Sequence, residues 1–204
     1  MDPDRILAVL DLPTLATQQL ALDEQLARLV ERGLRLAWVR AHRTPPDLAA
    51  VERALVRATA SGVAVVLSAP LALPLGWPDV HARRSDPEAA ALVSLASTSV
   101  HDPADLDGRL ATAARWLLAS PVWAPLSKPT PPGLLGVDGL RRVVERTNRP
   151  VFALGGVTPE RLGSALGAGA WGVASLGPMC DADAPATFER LRDALAATLA
   201  EPSR

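Results

Sequence analysis

Short apolar runs alternate with longer stretches of helical period along most of the chain. The runs at 5–10, 36–40, 63–67, 79–82, 92–97, 115–119, 151–154 and 171–176 are short and mostly rich in Leu, Val and Ala, as buried strands are. Many of the stretches between them place apolar residues three and four positions apart, as amphipathic helices do. This alternation of strands and helices predicts a parallel sheet in an α/β protein.

The predicted helices have start and stop signals. They cover 17–33, 45–62, 102–114, 137–147 and 185–200, and another opens at Thr158 and Pro159. Thr17 is the N-cap expected for the first helix, and Gly33 lies past its end. The third helical segment is short or broken, because residues 68–78 contain three prolines and a glycine. The fourth, at 86–92, is also short.

Eight strands, each followed by a helical segment, predict a compact (β/α)8 TIM barrel with shortened third and fourth helical segments. The 204 residues lie at the low end for that fold and form a single predicted domain over 1–204. An open, doubly wound sheet is the alternative.

Charge and composition exclude several classes of partner. The net charge is −1, and no basic stripe or acidic tail points to nucleic acid or an anionic membrane. The N-terminal segment has neither the length of a membrane span nor the pattern of a signal peptide. Cys180 is the single cysteine, which is compatible with a reducing compartment, so we expect a cytoplasmic protein. Trp77 and Trp171 either anchor an interface or pack between helices and barrel, which leaves a homo-oligomer open.

Two adjacent glycines follow the seventh predicted strand. Gly155 and Gly156 precede the helix that opens at Thr158, and Gly177 follows the eighth strand. In (β/α)8 barrels these two loops commonly hold a phosphate through backbone N–H groups and a helix N-terminus. Glycine permits a close backbone approach and a positive φ. The pattern predicts a phosphate cradle, with a ligand-free tight turn as the alternative, so a small phosphorylated ligand is the expected partner.

All three histidines lie at or just beyond the ends of predicted strands. His42, His81 and His101 follow strands two, four and five, on the rim where barrel active sites form. Histidine can bind phosphate, shuttle a proton or ligate a metal. The HxH or HxxxH spacing of a zinc cluster is absent, so a polar-rim role is favoured over zinc. His81, with apolar neighbours, also fits a core position.

Several segments resemble those of the thiamine phosphate synthase/TenI family. The resemblance is carried by "LAWVRAH" (36–42), "PDVHARRSD" (78–86), "SLASTSVHDPADL" (94–106), "RWLLASPVWAPLSKPTPPGLLGVDGL" (115–140) and "PVFALGGVTPERLGSALGAGAWGVASLGPM" (150–179). Their order and spacing hold from about residue 6 to the end of the chain. The family's synthase joins a pyrimidine pyrophosphate to a thiazole phosphate with Mg²⁺ and releases pyrophosphate.

The resemblance implies roles for individual residues. The catalytic positions, which face the pyrophosphate, fall on Arg40, Ser99 and Lys128. The family's substrate-binding positions fall on Ser127, Gly155, Gly156, Ser175 and Gly177. His42 and His101 are expected to bind substrate because of their places on the predicted rim. Asp86 matches a Mg²⁺ ligand, although it is also a good helix N-cap. Lys128 is the only lysine in the chain, which makes a plain surface role less attractive for it.

The chain departs from the family pattern at several positions. Trp38 stands where the family has glutamine, and His42 where it has lysine. Ser68 and Ala69 replace an Asn-Asp pair, Arg83 and Arg84 replace Gly-Gln, and Pro125 replaces a threonine. A Mg²⁺ site would therefore have one protein carboxylate left. Pro121 occupies the place of the catalytic histidine of the TenI tautomerases.

Three functions follow from this pattern. The first is a transferase of the thiamine phosphate synthase type, whose turnover is left open by the replaced substrate and Mg²⁺ positions. The second is a non-catalytic or regulatory barrel that binds a phosphorylated ligand. The third is an isomerase of a small phosphorylated compound that uses His42 or His101. Fold alone cannot separate them.

Overall fold

The structure, a computed structural model, describes residues 3–41, 47–86, 92, 95–125 and 133–200. Eight parallel strands pair in chain order and close into a barrel. The strands are β1 Ile6–Asp11, β2 Leu36–Arg40, β3 Ala64–Ser68, β4 Val80–Ala82, β5 Leu95–Val100, β6 Ala114–Ala119, β7 Val151–Leu154 and β8 Gly172–Ser175. The predicted (β/α)8 barrel is confirmed, and the open-sheet alternative is wrong.

Helices connect the strands. They are α1 Leu12–Thr17, α2 Leu22–Val30, α3 Leu48–Ala60, α4 Ala69–Leu75, α5 Arg109–Ala113, α6 Gly136–Glu145, α7 Pro159–Gly167 and α8 Ala184–Ala200, with 3₁₀ turns at Pro103–Asp107 and Gly177–Cys180. The third helical segment, α4, is short as predicted, and Pro74 lies inside it. The predicted fourth segment falls largely outside the described residues. In the described part of the chain, no helix is both long and apolar enough to cross a membrane.

The prediction of one first helix with Thr17 as its N-cap is wrong. Two helices occupy this region, and Thr17 is the last residue of α1. Asp11 caps α1 instead, because its carboxylate accepts a hydrogen bond from the backbone N–H of Thr14, with Pro13 in the first turn. The second helix, α2, begins after Ala21 without a side-chain cap.

Two other boundaries also differ from the predictions. Strand β5 begins at Leu95, three residues later than expected, so Ser99 lies within the strand. The predicted helix at 102–114 is a 3₁₀ turn followed by the short α5, because Gly108 between them is extended, with φ −77° and ψ 150°. Asp102 does cap the turn, as expected for a helix start. The serines of β5 interrupt its apolar run, so the predicted strand was placed three residues too early.

Side chains that point into the barrel form a core distinct from the layer between strands and helices. Trp38 lies level with Val9 and Val66 on the neighbouring strands, and the rings of Trp116 and Phe152 lie 5.1 Å apart. Toward the carboxyl ends of the strands the inward positions become polar, and they are Asp11, Arg40, Ser68, His81, Ser97 and Ser99. This polar layer is the floor of the barrel mouth.

Candidate functional site

The candidate site is the mouth of the barrel at the carboxyl ends of its strands. Arg40 ends β2, Ser99 lies near the end of β5, His101 directly follows β5, and Gly155 and Gly156 follow β7. Active sites of (β/α)8 enzymes form at this face. The predicted site residues His42, Ser127 and Lys128 lie outside the described residues, so the roles assigned to them stay predictions.

Arg40 is held by a carboxylate that our sequence analysis did not identify. Asp11 ends β1 directly opposite Arg40 on β2, and Arg40 Nε donates to Asp11 Oδ1 across 2.7 Å. Thr14 anchors the other oxygen, through its N–H at 3.2 Å and its hydroxyl at 2.5 Å from Oδ2. No acceptor among the described residues binds the two terminal nitrogens of Arg40, so the outer edge of the guanidinium is available for an anion.

The charge state of Asp11 suits this anchoring role. Burial by itself would raise the pKa of Asp11, but hydrogen bonds from Thr14 and the charge of Arg40 outweigh it, and the pKa lies below its usual value. Asp11 therefore stays ionised at neutral pH and holds the guanidinium in one orientation.

A buried histidine lies inside the barrel against Trp38. The His81 ring is fully buried and lies 4.0 Å from the Trp38 ring, centroid to centroid. Its Nδ1 lies 2.8 Å from Ser97 Oγ and its Nε2 lies 3.3 Å from Ser99 Oγ. Trp38, in the place of the family glutamine, buries an indole N–H that has no hydrogen-bond partner among the described residues. His81 is thus an interior residue, coupled to the mouth through the half-buried Ser99.

His101 lies on the exposed rim. Its Nδ1 lies 2.6 Å from the backbone carbonyl of Ser120, at the end of the neighbouring strand β6. A carbonyl only accepts, so Nδ1 carries the proton, and Nε2 of a neutral His101 is a hydrogen-bond acceptor. His101 therefore lies on the rim as predicted, and its role in binding substrate stays a prediction. Among the described residues, no group of three His, Cys, Asp or Glu could hold a metal ion.

The glycine pair is required by close chain packing. Gly155 and Gly156 have φ of +98° and +61°. A Cβ on Gly155 would lie 2.8 Å from Pro121 Cβ, and one on Gly156 only 2.3 Å from the carbonyl oxygen of Ala124. The segment after β6 therefore packs directly on the loop after β7, and the tight-turn explanation accounts for both glycines.

The same loops also contain N–H groups without a protein acceptor. None of the described residues accepts a hydrogen bond from the N–H of Gly156, Val157 or Gly177. The Ser175 hydroxyl at the end of β8 is buried, and no residue in the described ranges forms a hydrogen bond with it. Arg161, in the first turn of α7, donates to the carbonyl of Gly156 at 2.6 Å. Unpaired donors in the loops after β7 and β8 are what an anion cradle requires.

A side chain from another helix fixes the loop after β8. Gln25 on α2 is fully buried, and its Nε2 donates to the carbonyls of Met179 at 2.8 Å and Asp181 at 2.9 Å. Arg28 completes the arrangement by donating to Gln25 Oε1 at 3.0 Å. The second half of the candidate cradle is therefore held in place from outside the barrel.

Asp86 does not have the surroundings of a magnesium ligand. Its Oδ2 accepts the backbone N–H of Arg83 at 2.8 Å, and its Oδ1 accepts Nη2 and Nε of Arg83 at 2.9 and 3.2 Å. Mg²⁺ needs several oxygen ligands in near-octahedral geometry, whereas here a guanidinium already neutralises the carboxylate. The predicted second carboxylate position is Ala69. The residues present do not fit a protein-built Mg²⁺ site.

The sequence did not reveal the roles of three residues at or behind the mouth. Asp11 had a local signal, an acidic residue between an apolar strand and Pro13, which alone indicates only a helix cap. Gln25 had none, because its carbonyl partners are more than 150 positions away. Arg83 was recognised as a departure from the family pattern, but nothing in the sequence indicated that it pairs with Asp86.

Comparison with known sequences agrees with the family resemblance described above. A family model described as thiamine monophosphate synthase matches residues 15–178. A thiamine-phosphate synthase of Koribacter versatilis is 36% identical over 130 residues, which cover 60% of this chain and 62% of that protein. The match therefore spans less than two thirds of that relative. A thiamine-phosphate synthase of a Mycobacterium species is 32% identical over 161 residues, which cover 73% of this chain and 70% of that protein.

Comparison with solved structures supports the fold. The thiamine phosphate pyrophosphorylase from Pyrococcus furiosus superposes with a TM-score of 0.78 at 20% sequence identity, and the match covers 96% of both chains. At 20% identity this likeness establishes only that the two chains share the barrel fold. The chemistry has to be argued from the residues of the mouth.

Proposed function

This chain belongs to the thiamine monophosphate synthase family, and from that premise we propose that it is a transferase of the thiamine phosphate synthase type. The proposed reaction joins a pyrimidine pyrophosphate to a thiazole phosphate and releases pyrophosphate. The single observation that supports it best is the fixed orientation of Arg40 at the barrel mouth. Its Nε donates a hydrogen bond to Asp11 Oδ1 across 2.7 Å.

Arg40 has the chemistry that a departing pyrophosphate requires. Its Nε is committed to Asp11, and its two terminal N–H₂ groups are directed donors that suit two phosphate oxygens. Charge builds up on the leaving oxygen as its bond to the pyrimidine methylene breaks, and a fixed cation stabilises that charge. The hydroxyl of Ser99, coupled to His81, is a second donor or acceptor on the same floor.

The thiazole phosphate is assigned to the loops after β7 and β8. The unpaired N–H groups of Gly156, Val157 and Gly177 supply backbone donors, and the N-terminus of α7 adds a favourable dipole. Binding the nucleophile there and the pyrophosphate at Arg40 would hold both substrates in one mouth. Such positioning accounts for much of the acceleration of a two-substrate reaction.

No step of this proposal is routed through Mg²⁺, because Asp86 is neutralised by Arg83 and Ala69 offers no carboxylate. The compartment in which we expect the reaction is the cytoplasm, in keeping with the single buried cysteine. The oligomeric state has no bearing on this assignment.

The test is direct formation of product. Purified chain is mixed with the pyrimidine pyrophosphate and the thiazole phosphate, with Mg²⁺ in one series and EDTA in another. Thiamine phosphate is then measured by fluorescence after oxidation. Thiamine phosphate that forms only when both substrates and the folded protein are present supports the proposal. A folded preparation that forms no product in either series refutes it.

A second candidate is a barrel that binds a phosphorylated ligand without turning it over. The observation that favours it is the loss of metal-binding groups around a mouth that still has an oriented arginine and unpaired N–H groups. This candidate predicts saturable binding of the thiazole phosphate together with no product in the assay above.

A further inference from the structure

We propose that Arg83, oriented by Asp86, forms an anion-binding site at the barrel mouth that works without a metal ion and takes a phosphate or diphosphate group. The inference deepens the proposed function and rests on it for the class of ligand. It assigns to a guanidinium the charge neutralisation for which the family resemblance implies Mg²⁺.

The two members of the pair differ in exposure. The Asp86 side chain is 3% exposed, whereas that of Arg83 is 35% exposed. The carboxylate is thus buried behind the guanidinium and fixed through both oxygens, one by the backbone N–H of Arg83 and the other by its side chain. A buried carboxylate that fixes a partly exposed guanidinium pre-orients the remaining N–H groups toward solvent.

The donors of Arg83 are only partly used. Its Nε and Nη2 both donate to Asp86 Oδ1, and none of the described residues accepts from Nη1. An arginine stays charged at any pH in use and needs no metal to attract an oxyanion. The pair is neutral overall, so attraction depends on the short distance to the guanidinium and on directed hydrogen bonds.

Arg83 lies on the same rim as Arg40. It directly follows β4, which pairs with β3, which in turn pairs with Arg40's strand β2. Strand ends two positions apart in a sheet are separated by about 10 Å. Two long arginine side chains on such a rim can serve one diphosphate group. Each has its own aspartate, so the arrangement at Arg40 is repeated at Arg83.

A divalent cation is disfavoured at the same place. Arg83 Nη2 lies 2.9 Å from the oxygen that a cation would use, so Mg²⁺ would have to displace a bidentate guanidinium and then face its charge. The side chain of the neighbouring Arg84 is 91% exposed and forms a 3.4 Å contact with Asp105, which is a weak surface pair. We therefore assign the site to Arg83 alone.

The experiment measures binding of inorganic pyrophosphate by titration calorimetry, in EDTA and in Mg²⁺ at equal ionic strength. We expect saturable binding in EDTA that Mg²⁺ does not tighten. The variant Arg83→Gln/Asp86→Asn replaces the ion pair by a neutral pair of similar shape, and it should weaken binding in EDTA at least tenfold. Arg32→Gln, which breaks an exterior pair with Glu189, is the matched control and should bind like wild type.

The variant Arg83→Lys is a second test that should perturb the folded protein less. It keeps the charge beside Asp86 but loses the planar fork, and a weakening of at least threefold is expected. Binding that appears only with Mg²⁺, no binding in either buffer, or binding unchanged in the Arg83 variants would overturn the inference. The product assay is separate: metal-free binding without product refutes the proposed function alone, and product with metal-dependent binding refutes this inference alone.

Discussion

Asp11 and Arg40 face each other across β1 and β2, and Arg40 Nε donates to Asp11 Oδ1 at 2.7 Å. The side chains are 12% and 20% exposed, so the pair closes the floor of the mouth while the guanidinium reaches its surface. A single aspartate thus caps helix α1 and orients the cation on which the proposed chemistry depends. Asp11 therefore links the first strand and helix of the barrel to the candidate site.

Arg40→Lys is expected to lower kcat/KM for thiamine phosphate formation by about 100-fold. Lysine keeps the charge but cannot bind Asp11 and two phosphate oxygens at once, and removing one fixed transition-state donor costs about 10²–10³. Steady-state kinetics measure the loss. Arg32→Lys, on an exterior pair with Glu189, is the control and should retain wild-type rates. Equal loss in both variants would contradict a specific role for Arg40.

Asp11→Asn is expected to lower the free energy of unfolding at pH 7 by about 2 kcal/mol, because Arg40 loses its buried partner. Asparagine still caps α1, so the helix should persist. Since the pKa of Asp11 is lower in the folded chain, its contribution is present above the unfolded value near 3.9 and is lost as the pH falls through the folded value. Urea titrations at several pH values follow both proteins.

The difference between wild type and Asp11→Asn should therefore be constant near neutrality and shrink below about pH 4. A difference that instead grows on acidification would show that the carboxylate of Asp11 is not stabilised in its ionised form.

Gly156→Ala is expected to destabilise the chain by at least about 2 kcal/mol. The new methyl group would lie 2.3 Å from the carbonyl oxygen of Ala124, on a residue with φ +61°. Thermal or urea unfolding measures the change. Gly163→Ala, inside α7 with no atom nearer than 4.0 Å to the new Cβ, is the matched control. It should be neutral or stabilise by up to about 1 kcal/mol. Similar behaviour of the two variants would contradict the close packing at Gly156.

Gln25→Glu is expected to raise KM for the thiazole phosphate more than it lowers kcat. A buried carboxylate would face the carbonyls of Met179 and Asp181, to which Gln25 now donates, and the loop after β8 would be released. Gln25→Leu removes the same donors without adding charge and should shift KM in the same direction. A loss of kcat alone, with KM unchanged, would show that Gln25 does not position the phosphate loop.

The barrel was predictable from the sequence because its signal is repeated. Apolar runs and helical stretches alternate through the chain, and each repeat supports the same architecture. Errors arose where one residue had two roles. Asp11 lay outside the predicted strand at 5–10 and was given no role, so α1 and its cap were missed, and the serines of β5 moved that strand by three residues.

The site was predictable only in part, since the resemblance supplied positions and not partners. The glycine pair was found from its place after a strand, and Arg40 from the family resemblance. The pairing of Asp86 with Arg83 could be seen only in the structure, because a carboxylate near a helix start has the same sequence pattern whether it caps, ligates or pairs. The reason for the glycines, contact with Pro121 and Ala124, also depends on how two distant loops pack.

The measurement that tests the central claim most directly follows both products of one reaction. Wild-type chain and Arg40→Lys are incubated in parallel with the two substrates, and thiamine phosphate and pyrophosphate are quantified over time. The account predicts equal amounts of the two products from wild type and about 100-fold slower formation of both by the variant. Pyrophosphate without thiamine phosphate, or equal rates for the two proteins, would contradict it.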